Sequence, residues 1–412
     1  MRQILLINAK TRKPSRPTGL EYIAETLVNN DYDVDLVDLT LEEKPDEVIK
    51  ERIKDNNYYA IGISIFNTQW DNARDSVDFF LPGIKDMITK IKGLSDAPVI
   101  LGGYGFSMQP KDILEYVGAD FGISGCGILA IVTLLIKIDK GEVQPGTVFK
   151  QEPEKYLYFG FKRNTVNYKK YPQKEHIDYT ATYISTKDGC IGRCYHCPHT
   201  STKLKLRDPD KVITEIKNLI TQGVKTISFI HDMMNVPVDH ARKICEGMTG
   251  LSIRWTADIY PLKKFLPTDL ADSMKHSGMT RATIGTRTIG SDRMLEVYRQ
   301  GYSTKDMEYA TKLFKERGIK TSWFIGFGAP GESKETIDET FTLIDEVEPD
   351  EVSIISKARI YKNTELASIA EKEGIISSTD NLLEPIYYPL SSELRDYIFQ
   401  EAEKRENCTV FY

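Results

Sequence analysis

The chain has 412 residues, of which 41% are hydrophobic and 28% charged, and its formal net charge is -6. This length predicts two or three domains of ordinary globular composition. The acidic balance and the absence of a long basic run exclude a nucleic-acid scaffold, and no apolar run reaches the roughly 18 residues of a membrane span. Six cysteines, three of them in one loop, leave no disulfide framework, so we expect a reducing, cytoplasmic location.

Apolar runs and helical segments alternate through the first third of the chain. Strands are predicted at residues 4–8, 34–38, 60–65, 98–103 and 119–123, and helices at 19–30, 46–56, 70–94 (interrupted near Pro82) and 129–138. This alternation favours a doubly wound parallel sheet. Such sheets bind ligands at the carboxyl ends of their strands.

The turns at those carboxyl ends carry a pattern made of Arg16-Pro17-Thr18-Gly19-Leu20, Leu101-Gly102-Gly103-Tyr104 and Ser124-Gly125. It resembles the cobalamin-binding domain of cobalamin-dependent radical S-adenosylmethionine (SAM) enzymes over most of residues 1–140. The resemblance implies a Rossmann-like (flavodoxin-like) domain whose cobalamin-binding residues are Arg16, Pro17, Thr18, Gly19, Gly102, Gly103, Tyr104, Ser107, Gly125 and Cys126. Glycines in these turns let the backbone approach a large ligand closely.

One departure from that family affects the cobalamin prediction. The family pattern ends in Gly-Glu-Gly-Glu, whereas this chain has Gly125-Cys126-Gly127-Ile128, so both carboxylates are lost and a thiol appears. Two interpretations remain open: a domain that binds cobalamin, and a domain kept for its structure alone.

The rest of the chain divides into a connector, a barrel and a tail. Residues 141–175 are predicted as a linker with a small hairpin, residues 176–375 as a partial (β/α)6 barrel, and residues 376–412 as a short, helical C-terminal extension. Barrel strands are predicted at residues 183–185, 226–230, 252–256, 281–285, 320–326 and 351–355. The carboxyl ends of such strands face one mouth, where barrel enzymes place their active sites.

Three cysteines follow the first barrel strand within eight positions: Cys190, Cys194 and Cys197. Thiolates at this spacing on one loop can converge on a single soft metal centre. Three ligands leave one iron of a cubane cluster free, as an open catalytic zinc site keeps one free position. Two alternatives are a structural zinc knuckle made of Cys194, Cys197, His196 and His199, and three buried free cysteines. The knuckle lacks its usual second ligand pair, because the next cysteine, Cys245, is too distant.

The CxxxCxxC spacing resembles the signature of radical SAM enzymes, and the resemblance continues over residues 176–370. It implies a 4Fe-4S cluster on these three cysteines whose free iron binds SAM. The implied SAM-binding residues are His196, Asp232, Arg287, Gly326, Gly328 and Pro330. His196 stands where the family has an aromatic hydrocarbon ring. Arg287 stands at a usual glutamate, and it pairs either with the SAM carboxylate or with a surface charge.

The resemblance implies a methyltransferase that acts on an unactivated carbon through a 5′-deoxyadenosyl radical and methylcobalamin. One alternative is radical SAM cyclisation, epimerisation or rearrangement without methylation by cobalamin. Another is an iron-sulfur redox or binding protein. The expected partner is an electron donor such as ferredoxin or flavodoxin, and a peptide, a lipid precursor and a small molecule all remain possible substrates.

Lys203, Lys205 and Arg207 form either a solvated face or an anion contact.

Overall fold

The computed structural model describes residues 1–10, 16–71, 77–151, 161–171, 182–199, 202–229, 233–288 and 290–410, without the side chains of 71 and 286–288. It divides into two compact units, one of Met1–Trp70 with Val77–Thr182 and one that includes Tyr183–Tyr412. Within the described ranges, every helix falls short of the length and apolar character that crossing a membrane requires.

The first unit alternates strands with helices as predicted. Its strands are β1 (Arg2–Asn8), β2 (Tyr32–Asp38), β3 (Ala60–Ser64), β4 (Gln69–Asp71), β5 (Val77–Phe79), β6 (Val99–Gly102), β7 (Phe121–Ile123) and β8 (Thr147–Phe149). Its helices are α1 (Thr18–Val28), α2 (Pro45–Asp55), α3 (Leu81–Lys92), α4 (Tyr104–Met108), α5 (Pro110–Val117) and α6 (Gly127–Asp139).

Six of these strands form a parallel sheet in the order β2-β1-β3-β6-β7-β8. Its core contains Ile4 and Leu6 of β1 together with Leu27 of α1 and Leu134 of α6, all almost fully buried. Strands buried in this way read as continuous apolar runs, which is why the sequence located them.

Two segments of the first unit differ from the prediction. The helix expected over residues 70–94 begins only at Leu81, because Pro82 occupies its first turn and starts the helix instead of interrupting it. The residues before it include β4 and β5, which pair with each other. At the start of the predicted linker, β8 pairs with β7 as the sixth strand of the sheet, and the second β-like piece of the expected hairpin, residues 156–159, lies outside the described residues.

The second unit contains the remaining elements. Its strands are β9 (Thr182–Tyr183), β10 (Lys187–Asp188), β11 (Lys205–Leu206), β12 (Thr226–Phe229), β13 (Arg254–Ile259), β14 (Met279–Thr288), β15 (Lys320–Gly326), β16 (Glu351–Ile355), β17 (Ala358–Arg359), β18 (Tyr387–Tyr388) and β19 (Cys408–Val410). Its helices are α7 (Pro209–Thr221), α8 (Val238–Met248), α9 (Thr268–His276), α10 (Asp292–Val297), α11 (Thr304–Lys315), α12 (Lys334–Val347), α13 (Glu365–Lys372) and α14 (Ser392–Glu403).

The main sheet of this unit has seven strands in the order β19-β16-β15-β14-β13-β12-β9. The predicted α/β architecture of two successive parallel-sheet domains is confirmed. The tail contains the predicted helix as α14, and it adds a strand that was not predicted, because β19 pairs in parallel with β16. An unpaired edge at β16 would expose a row of backbone hydrogen-bonding groups, and the apolar end of the chain covers it.

Candidate active site

A short pair of strands closes the loop that carries the three cysteines. β10 and β11 pair antiparallel, so residues 189–204 leave and return at neighbouring points. Inside the loop, Cys190 N donates to Thr202 Oγ1 at 2.9 Å, and Cys190 O accepts from Thr202 N at 3.0 Å. Gly189 opens the loop at φ +92°, where a Cβ would lie 2.3 Å from Lys203 O, so the position requires glycine. These hydrogen bonds and the glycine conformation therefore fix the two ends of the loop.

A buried ion pair supports the base of this loop. Arg207 Nη2 donates to Glu215 Oε2 at 2.6 Å, and neither side chain is exposed. Arg207 Nη1 also donates to Ser185 O, which joins the end of β11 to the segment after β9. Lys203 is exposed and Lys205 half-buried. Both interpretations offered for Arg207, a solvated face and an anion contact, are wrong, because its guanidinium is buried and pairs with Glu215 inside the unit.

The sulfur atoms of Cys190 and Cys194 converge on one point. A Cβ atom on Gly192 would lie 3.3 Å from Cys190 Sγ and 3.6 Å from Cys194 Sγ, and Gly192 N donates to Cys190 Sγ at 3.3 Å. Cys197 lies in the next turn, where its N–H donates to Cys194 O at 3.2 Å. All three cysteines are half-buried, and none forms a disulfide within the described residues.

This donor set suits an iron-sulfur cluster, since three soft thiolates on one loop are typical of such sites. The described residues contain no group of three Cys, His, Asp or Glu side chains placed for one metal ion. The fit to a cluster therefore depends on the convergence of two sulfurs around Gly192 and on the third thiol nearby.

Gly192→Ala is expected to lower the iron content of reconstituted protein at least twofold. The added methyl group would lie closer to Cys190 Sγ than ordinary contact allows, so the sulfurs must move apart. Iron and sulfide analysis after anaerobic reconstitution measures the effect. The matched control is Gly83→Ala in α3, where a Cβ meets nothing within 4 Å. Equal iron in the two variants would contradict the convergence.

Tyr298 packs against two rings of the cysteine loop, those of Tyr195 and His196. The Tyr298 ring lies edge-on to the rings of Tyr195 and His196, with centroid distances of 5.1 and 5.9 Å. His196 is only 8% exposed, and its ring packs between those of Tyr195 and Tyr298. The Tyr298 hydroxyl donates to Gly326 O at the end of β15. Tyr298, which sequence reasoning missed, thus links the cysteine loop to the glycine-rich turn after β15.

The glycine-rich turn after β15 packs against the residues that follow β16. Gly328 has φ +96°, and a Cβ there would lie 3.5 Å from Ser356 O, just past the end of β16. Pro330 is half-buried in the same turn. Ser356 is 6% exposed, and its Oγ has no hydrogen-bond partner among the described residues. A buried hydroxyl without a partner costs free energy unless a ligand or water satisfies it, so the turn suits a polar nucleoside.

Two predicted SAM-binding side chains cannot be placed. Asp232 lies outside the described residues, and Arg287 lies in β14 with its side chain outside them. Their roles remain predictions.

Glu332 follows the turn and precedes α12. Its Oε1 accepts from Thr336 Oγ1 and its Oε2 from Gly328 N at 3.3 Å. The helix itself is capped by Ser333, which accepts from Thr336 N. Burial raises the pKa of Glu332 to about 7, although these two hydrogen bonds oppose the shift.

Glu332 is expected to make stability fall as pH rises. Its pKa is higher in the folded chain, so its contribution is complete below about pH 4.5 and is lost as pH rises through about 7. Between pH 5 and 8, wild type should lose about 1–2 kcal/mol relative to Glu332→Gln, which stays neutral. Urea unfolding at both pH values measures this difference, and parallel pH profiles for the two proteins would refute it.

In the first unit, the predicted turns lie at the carboxyl ends of β1, β6 and β7. Ser107 Oγ donates to Gly103 O at 2.9 Å and accepts from Gly125 N at 3.0 Å, which ties the turns after β6 and β7 together. Gly103 has φ +102°, and a Cβ there would lie 2.5 Å from Ile65 O. Three turns of adjacent or near-adjacent strands therefore meet at one edge of the sheet.

Among the described residues this edge is open, because its glycines leave space beside the backbone and two aromatic rings are exposed. Gly19 and Gly125 have no heavy atom of the described residues within 4 Å of where a Cβ would stand, and Gly102 has one only at 4.0 Å. Tyr104 is 54% exposed and Phe66, after β3, is 44% exposed. Phe66 was missed, although it follows an apolar strand run that could have pointed to it.

Cys126 is the N-cap residue of α6 and is half-buried, so the thiol occupies the position where the family carries an acid. Pro17 is the N-cap residue of α1, and Thr18 Oγ1 accepts from Arg163 Nη2 at 2.9 Å. All of these residues border the same turns.

Arg16 has a different environment from the neighbouring turn residues. It is 3% exposed, and its guanidinium donates to Glu21 Oε1 at 2.6 Å and to Arg163 O at 2.6 Å. Arg163 Nη2 donates to the other oxygen of Glu21 at 2.6 Å. Arg16 thus anchors the turn, and Arg163, from the predicted linker, was missed.

Two family models match the chain. The model of the B12 binding domain matches residues 4–135, and the model of the radical SAM superfamily matches residues 184–344. The open edge of the first unit lies within the first match, and the cysteine loop lies within the second.

Individual relatives are distant. Tryptophan 2-C-methyltransferase of Streptomyces laurentii is 20% identical over 411 residues, which cover 81% of this chain and 68% of that protein. A tRNA-2-methylthio-N(6)-dimethylallyladenosine synthase of Paraburkholderia xenovorans is 26% identical over 201 residues, which cover 42% of each chain. This chain thus spans less than half the length of the second relative.

Solved structures share the fold. The radical SAM methyltransferase TsrM from Kitasatospora setae, with tryptophan and a SAM analog bound, has a TM-score of 0.77 at 23% identity, covering 90% of this chain and 76% of that one. OxsB, a cobalamin-dependent SAM radical enzyme with aqua-cobalamin and SAM bound, has a TM-score of 0.72 at 14% identity, covering 98% and 66%.

Proposed function

We propose that this chain, which belongs to the radical SAM enzymes that carry a B12 binding domain, transfers a methyl group from SAM to a carbon atom of its substrate. The observation that carries the proposal is the presence, in one chain, of a three-cysteine loop with converging sulfurs and a sheet edge with open glycine turns. The tryptophan 2-C-methyltransferase, which matches 81% of this chain, supports carbon methylation.

In the second unit, Cys190, Cys194 and Cys197 would hold the 4Fe-4S cluster. Gly326, Gly328 and Pro330 would border the nucleoside of SAM, and the unsatisfied hydroxyl of Ser356 would hydrogen-bond to it. Asp232 is proposed for the SAM ammonium group and Arg287 for its carboxylate. When bound, the cluster and SAM supply a 5′-deoxyadenosyl radical, and cobalamin carries the methyl group.

In the first unit, the glycine turns around Ser107 would let the corrin ring approach the backbone. Tyr104 would offer it an apolar face, and Phe66 would extend that face. Arg16 would act indirectly, since it holds the turn before α1 through Glu21. Its role is therefore positioning.

A low-potential electron donor such as ferredoxin or flavodoxin is proposed as the partner, in the cytoplasm, because the cluster must be reduced before SAM is cleaved. The substrate class is not determined by these residues. Tryptophan, the substrate named for two relatives, is the first compound to test.

The test uses the full chain, reconstituted anaerobically with iron, sulfide and cobalamin, and supplied with a reductant and SAM labelled on its methyl group. Methyl transfer requires S-adenosylhomocysteine that forms only when cobalamin is present, with the label on carbon once a substrate is found.

Other products would reject the proposal. SAM cleaved only to 5′-deoxyadenosine, without S-adenosylhomocysteine, would indicate the cyclisation, epimerisation or rearrangement class. An assembled cluster that consumes no SAM would indicate an iron-sulfur redox or binding protein.

A further inference from the structure

The turn after α10 lies directly against the cysteine loop. Tyr298 O accepts from Tyr195 N at 3.4 Å, which joins the backbones of the two segments. Arg299 and Gly301 both have positive φ, 54° and 74°, so the chain reverses sharply on each side of Gln300. The Gln300 side chain therefore comes from a tightly folded turn.

Gln300 is held from both directions along its backbone. Its N–H donates to Leu295 O at 3.1 Å, and its carbonyl accepts from the Tyr260 hydroxyl at 2.8 Å. Glycine at position 301 makes this possible, because a Cβ there would lie 2.8 Å from Tyr260 Oη. Tyr260 also lies near the cysteines: burial raises its pKa to about 12, and the charges of Cys194 and Cys190 contribute.

The Gln300 carboxamide reaches a predicted cluster ligand. Gln300 is 4% exposed, and its Oε1 lies 3.9 Å from Cys194 Sγ, within reach of a sulfur hydrogen bond. In this contact the thiol donates and the amide oxygen accepts. A thiolate bound to iron has no proton, so the amide must turn its N–H toward the sulfur, and the two orientations differ only by a flip about the last torsion.

We propose that Gln300 is a positioning residue that donates an N–H···S hydrogen bond to the Cys194 thiolate and thereby raises the reduction potential of the cluster. The inference rests on the proposed function, since it requires the cluster. A donor to a ligand sulfur stabilises the reduced cluster more than the oxidised one, because reduction adds negative charge.

The test compares Gln300→Met and Gln300→Glu with wild type, all reconstituted anaerobically. Iron and sulfide are measured first, and the cluster is then titrated by electron paramagnetic resonance without SAM. At a fixed potential we expect the ratio of reduced to oxidised cluster to fall about tenfold in Gln300→Met, equivalent to about 59 mV for one electron. Gln300→Glu should fall further, because it adds a negative charge beside the sulfur.

The control is Gln222→Met at the end of α7, whose side chain donates to Asn218 O at 3.2 Å and should leave the potential unchanged. A full cluster with wild-type potential in Gln300→Met overturns the proposal. If that variant loses its cluster, Gln300→Glu decides, and a potential equal to wild type overturns the proposal. A wild type that binds no cluster rejects the proposed function instead.

Discussion

Cys194→Ala is expected to abolish the iron-sulfur cluster and to lower SAM cleavage by more than about 100-fold. A Cβ atom on Gly192 would lie 3.6 Å from Cys194 Sγ and 3.3 Å from Cys190 Sγ. Cys194 is therefore central to the donor set. Two thiolates cannot hold a cubane that needs three ligands and one open iron. Iron, sulfide and the visible absorbance of reconstituted protein measure the cluster, and chromatography of 5′-deoxyadenosine measures the cleavage.

Cys408→Ala is the matched control. Cys408 is also a half-buried free thiol, but it lies in β19, at the opposite edge of the seven-stranded sheet from β9. Its iron content and activity should equal those of wild type. If Cys194→Ala keeps its iron and its activity, the assignment of the cysteine loop is wrong. If wild type purified without oxygen carries zinc on these thiols, the zinc knuckle is the correct interpretation.

The parts of this molecule that sequence could predict are those encoded locally. β15 and β16 have the predicted bounds because each is a short apolar run between polar turns. Asp208 caps α7, and an aspartate directly before a proline is itself a local sequence signal of a helix start. The three cysteines were found because their spacing along one loop is itself the signal.

The parts that sequence missed depend on contacts between distant residues. Gln300 meets Cys194 across 106 positions, and Arg163 meets Glu21 across 142. One sequence read by itself contains no pattern that pairs such distant positions. The helix expected at residue 70 failed for a different reason: a proline in a polar stretch ends one helix or begins another, and only the surrounding packing decides.

The second large effect is expected at the turn before α1 in the first unit, where Glu21→Gln should destabilise the fold by about 3–5 kcal/mol. The Glu21 side chain is fully buried, and its single negative charge pairs with two arginines, Arg16 and Arg163, at 2.6 Å each. The neutral amide would leave both guanidinium groups buried without a counter-charge, which costs more than the loss of one hydrogen bond.

Urea unfolding measures the free energy, and hydrogen-deuterium exchange locates the effect. Amides of α1 should lose protection, while those of β15 in the other unit should keep it. The control is Glu47→Gln, which breaks an ion pair whose side chains are 70% and 63% exposed and which should change stability little. A Glu21→Gln midpoint no lower than that of Glu47→Gln would show that the buried cluster does not stabilise the turn before α1. The turns at the open edge of the first unit would then need another support, because Arg16 holds the turn before α1 through Glu21.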